Sequence, residues 1–116
     1  MARKLLYIKA SIEGGEKMLK AAFMFLSTDA NPDLHICNIE TGNISLLTVG
    51  VPNYEVACKT VTELLERGIT AIELCGGFGY EGVAQIKKAV NGKIPVGVVR
   101  FDIHPGLGNM SGDSIF

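Results

Sequence analysis

Tryptophan is absent, histidine occurs twice and cysteine three times, and none of Cys37, Cys58 and Cys75 lies in a C-x-x-C pair. Zinc fingers need more ligands than this, and an odd cysteine count gives no disulfide framework, so a reducing cytoplasm is the expected setting. An excess of one charge is lacking too: 11 basic and 12 acidic residues leave a net charge of −1. A nucleic-acid or anionic-membrane partner therefore has no electrostatic support. The longest strongly apolar run, Leu19 to Leu26, contains Lys20 and is far too short to span a bilayer. The basic opening Ala2-Arg3-Lys4 is followed by neither a long apolar region nor a small-residue cleavage site, so no signal peptide is expected.

What is present describes one folded domain. Hydrophobic residues make up 47% of the 116 and charged ones 20%, which argues against disorder. A chain of this length buries roughly 65% of its unfolded surface, enough for one core without covalent staples. Two readings stand for residues 1–17: an extra edge strand, or an N-terminal extension to a domain running from 18 to 116. Gly14-Gly15-Glu16-Lys17-Met18 can be encoded by a purine-rich stretch like a bacterial ribosome-binding site, so Met18 is expected to be a natural start.

From Leu19 the patterns alternate. Leu19 to Leu26 reads as a buried strand. Asn31-Pro32-Asp33 has the cap, first-turn proline and dipole-matched acid of a short helix over Pro32 to Ile39, with Ile36 and Ile39 facing inward. Gly42-Asn43 gives a turn, and Ile44 to Val51 is a β-branched strand. Asn53 to Gly68 is the clearest helix, with Ala57, Val61, Leu64 and Leu65 as its apolar stripe and Gly68 as its left-handed stop. Ile69 to Cys75 is a strand, Glu81 to Val90 a helix, and Ile94 to Phe101 the last strand. Gly106 to Phe116 reads as an irregular tail that folds back or docks on a neighbouring subunit. The order β-(short α)-β-α-β-α-β predicts a single-domain, three-layer α/β fold, with a mostly parallel sheet of four to five strands and helices as crossovers.

The site is expected where two strands end. Ala71 to Leu74 runs into Cys75-Gly76-Gly77-Phe78-Gly79, and open α/β sheets keep their ligands at such carboxyl-end turns. Gly77-x-Gly79-x-x-Gly82 has the spacing and setting of a dinucleotide fingerprint, and Asp102 follows Gly82 by twenty residues. Against a dinucleotide stand its place in the second half of a short chain and the charge of Glu81 where an anion would sit. Glycines that merely permit a short β-to-α connection explain the same residues. Glu73 and Arg100 are lone charges in apolar strands; they make either a buried ion pair or a ligand clamp in which Glu73 holds Arg100. Asp102-x-His104 places a carboxylate and an imidazole on one side of an extended segment, suited to orienting a substrate or moving a proton. Two ligands make no metal site without Glu73 or His35 joining, so none is expected. Cys75, before the glycines, is either an activated thiol or a packed one.

The stretches IELCGGFGYEGVAQIKKAV and PVGVVRFDIHPGL resemble a family of small bacterial proteins of unknown function that share I-E-L-C-G-G-F-G and V-G-V-V-R-F-D-x-H-P-G elements. The similarity runs from about Met18 to the end and includes LLTVGVPNYEVA. It implies a compact α/β domain and supplies no substrate or cofactor.

Two functions follow as expectations. The first is binding, with or without a reaction, of an anionic small molecule. Glu73, Gly76, Gly77, Phe78, Gly79 and Arg100 would hold it, with Asp102, His104 and Cys75 as the catalytic candidates. The second is a non-catalytic assembly module, since a mean hydropathy of +0.28 leaves apolar surface for subunit contacts, a two-fold dimer first of all.

Overall fold

A computed structural model describes residues 18–116. The two readings of residues 1–17 lie outside the described residues. The elements are β1 (Leu19–Leu26), β2 (Ile36–Glu40), β3 (Ile44–Val51), α1 (Tyr54–Glu66), β4 (Ala71–Leu74), α2 (Tyr80–Val90) and β5 (Val96–Val98). Two short 3-10 turns follow, Pro105–Leu107 and Gly112–Ser114. The five strands form one mixed sheet in the order β2-β3-β1-β4-β5. β1 is central and parallel to β3 and β4, and β4 is parallel to β5.

β2 corrects the expected short helix, because it pairs antiparallel with β3. The helix-start signals at Asn31 are spent on a single turn: Asn31 Oδ1 accepts from the Asp33 N–H at 2.9 Å, and His35 Nδ1 accepts from the Asn31 N–H at 2.8 Å. The chain then extends, and Thr41 closes a hairpin by accepting from the N–H groups of Asn43 and Ile44. Isoleucine at 36 and 39 fits a strand better than the second turn of a helix. Ile36 is half-buried, whereas Ile39 points outward at 57% exposure. β5 is also shorter than expected, ending at Val98.

α1 follows its sequence signals closely. Asn53 Oδ1 accepts from the Val56 N–H at 2.8 Å, and Gly68 takes a φ of +82° while the Ile69 N–H reaches back to the Leu64 carbonyl. α2 ends in Asn91 at a φ of +49°. The crossovers β3-α1-β4 and β4-α2-β5 step the same way across the sheet. A common handedness then puts both helices on one face, and they pack against each other.

The core lies between this helix layer and one sheet face. Ala22, Met24, Val49, Val51, Ile72 and Leu74 alternate along the strands and meet Ala57, Val61, Leu64, Ile86 and Val90. Burying each of the larger of these side chains contributes roughly 1.5–3 kcal/mol. The opposite sheet face carries Leu19, Ala21, Phe23, Phe25, Ile44 and Leu46, and neither described helix covers it. The described residues therefore show two layers. No helix among them is long and apolar enough to cross a membrane.

Candidate functional site

The turns after β4 and β5 lie side by side at the carboxyl edge of the sheet. The Phe101 ring fills the space a Cβ on Gly76 would need, so glycine there lets the two turns touch. Between the start of α2 and the end of β5 is a cavity of about 190 Å³. Phe78, Gly79, Tyr80, Val83, Val98, Val99, Arg100, Phe101 and Ser111 line it. Its walls are mainly apolar, and its charged member is Arg100.

Arg100 does not pair with Glu73. Glu73 alternates with the fully buried Ile72 and Leu74, so its exposed side chain leaves the sheet on the other face. The Nε of Arg100 donates instead to Asp102 Oδ1 at 3.0 Å, and its Nη2 donates to the Tyr80 hydroxyl. The guanidinium carbon sits 4.9 Å from the centre of the Tyr80 ring. Tyr80 in turn donates to Asp102 Oδ1 at 2.7 Å. The hydrogen bonds from Tyr80 and Arg100 hold the Asp102 carboxyl below its ordinary range. The same carboxylate pushes the Tyr80 phenol and the Arg100 guanidinium up. All three thus keep their usual charge states at neutral pH.

The three catalytic candidates each have hydrogen-bond partners of their own. Cys75 Sγ accepts from the Gly77 N–H at 3.3 Å. His104 Nδ1 accepts from the Gly106 N–H at 2.9 Å, and its ring lies 4.7 Å from that of Phe101. Asp102 is held by Tyr80 and Arg100. No nucleophile-to-base hydrogen bond links them among the described contacts, and no group of three His, Cys, Asp or Glu among the described residues is placed to hold a metal.

The glycine-rich turn holds an anion of the protein's own. α2 has no side-chain cap at Gly79. In its first turn, the N–H groups of Glu81 and Gly82 donate to the two oxygens of Asp113 at 3.0 and 3.2 Å. Tyr54, at the start of α1, donates its hydroxyl to Asp113 at 2.8 Å and accepts from the Gly79 N–H at 3.0 Å. The Phe78 N–H goes to the Cys75 carbonyl. Burial pushes the Asp113 carboxyl up, but the hydrogen bonds from Glu81, Tyr54 and Gly82 outweigh it and hold it low. Burial, with Asp113 beside it, pushes the Tyr54 phenol up.

These contacts also account for the motif's glycines. A Cβ at Gly79 would overlap Asp113, and one at Gly82 would overlap the Tyr54 ring. The tail folds back on its own chain, with Gly112 against the Gly77 carbonyl and Phe116 beside Tyr54 at 6.2 Å between rings. Sequence reasoning missed Tyr54, Tyr80 and Asp113. The cue for Tyr80 was its place inside the glycine motif; Tyr54 and Asp113 are 59 residues apart, and nothing local to either announces the other.

A mixed, mostly parallel sheet with crossover helices and a cleft at its strand ends defines an α/β domain of the open-sheet class. Within that class, the chain belongs to the family described as "Family of unknown function (DUF6506)", which it matches over residues 19–114. No curated protein and no solved structure matches it.

Proposed function

We propose that the protein binds a small anionic molecule with an apolar body in the cleft between α2 and β5. The cavity of about 190 Å³, with apolar walls and Arg100 on its lining, carries this reading. Arg100 spends Nε and Nη2 on Asp102 and Tyr80, and a guanidinium has five N–H donors, so it keeps donors for a carboxylate or phosphate. Asp102 and Tyr80 fix the plane of the guanidinium rather than act on the ligand. Phe78 forms part of the apolar wall, while the N–H groups around Gly79 are spent within the protein and leave Arg100 as the anion contact. Cysteine usage supports a cytoplasmic setting.

A thermal-shift screen of small aromatic and aliphatic carboxylates and phosphates, followed by calorimetry, tests this. A hit should weaken at least about tenfold in Arg100→Ala, the loss of one charge-assisted contact. Unchanged affinity in that variant would remove Arg100 from the site.

A separate observation favours assembly. Leu19, Ile39 and Ile44 are exposed at 49%, 57% and 41%, and Leu19 and Ile44 are paired neighbours on the sheet face without a described helix. In this reading a second copy supplies the third layer. Light scattering across a concentration series should show a dimer that Ile44→Glu disperses; a monomer throughout would end this reading.

A further inference from the structure

We propose that residues 111–116 form a releasable clasp that sets the opening of the cleft. The segment is joined to the sheet by no strand pairing; it holds on through the Asp113 carboxylate, the close approach of Gly112 to the Gly77 carbonyl and the Phe116 ring beside Tyr54. Ser111 is part of the cleft lining, and Asp113, two residues on, takes the Glu81 and Gly82 N–H groups and the Tyr54 hydroxyl. One short segment therefore closes a side of the cleft and completes the start of the helix that forms its other wall. A terminal segment held without strand pairing opens locally, at a lower free energy than the core.

Lifting the clasp removes the Ser111 wall and frees the Glu81 and Gly82 N–H groups, while the core between the sheet and the helices stays intact. The cleft is then wider and continuous with the start of α2. The inference takes the cleft from the reading above, but the clasp's motion stands or falls without any ligand.

Amide hydrogen exchange on the full-length, ligand-free chain tests it. In the unmodified protein, the Glu81 and Gly82 amides should exchange at least about tenfold faster than those of β1 and Ile72, through openings that denaturant barely affects. Asp113→Ala should speed the first pair by a further factor of about ten or more and the second set by less. Equal protection of both sets in the unmodified protein would overturn the proposal. So would equal acceleration of both sets in the variant, or a variant that does not fold, since the segment would then be part of the core. Tyr54→Phe keeps the ring and should speed Gly79 more than β1; equal acceleration of both would count against the clasp.

Discussion

At the scale of single residues, the glycines separate by what stands against them. Gly112 lies on the Gly77 carbonyl, and a methyl group there would force backbone from backbone. Gly112→Ala should cost about 1–3 kcal/mol in urea unfolding, the range for overpacking. Gly42 has nothing within 4 Å of a Cβ, and Gly42→Ala should stay within about 0.5 kcal/mol. Tyr54→Phe removes a hydroxyl with two partners and should lose about 1–2 kcal/mol with unchanged far-ultraviolet circular dichroism. The sequence showed that side chains are missing from the turn after β4. It could not show what fills the room, because the occupants Phe101, Asp113 and Tyr54 lie outside the motif and arrive only through the fold.

At the scale of elements, legibility followed the distance to the capping group. α1 carries its own signals at Asn53 and Gly68, and Asn53→Ala should lower stability by about 1 kcal/mol. α2 borrows its cap from Asp113, 31 residues past Gly82, so its start was readable only as a pattern of glycines. That borrowed cap has a pH signature. The folded Asp113 carboxyl titrates below its unfolded range, so its contribution is complete above the unfolded pKa of about 3.9 and fades as pH falls through the folded value. The stability difference between the unmodified protein and Asp113→Ala should be flat from neutral pH to about 5 and shrink below about 4. A difference that instead changes between pH 6 and 8 would point to another group. β2 was misread because Asn31-Pro32-Asp33 starts a turn as readily as a helix, and only pairing with β3 decided between them.

At the scale of the whole molecule, the alternation of patterns was enough for an α/β domain with a mostly parallel sheet, while the described residues account for two of the three expected layers. Layering depends on which way successive crossovers step, which strand order decides and periodicity does not. The sheet is centred on β1, whose Ala22 and Met24 lie in the core. Met24→Ala, at a position with no solvent exposure, should lower stability by about 2–5 kcal/mol and take both helices with it in one cooperative transition. The absence of tryptophan leaves circular dichroism and the tyrosines to follow that transition.

The placing of both described helices on one sheet face has a thermodynamic corollary. The cleft looks out past the strand ends on the helical flank, whereas Leu19 and Ile44 look out from the reverse. Two copies meeting back to back would leave both clefts unobstructed, so occupancy of the one surface need carry no linkage to the other. A ligand titration repeated at widely different protein concentrations should then return one and the same midpoint.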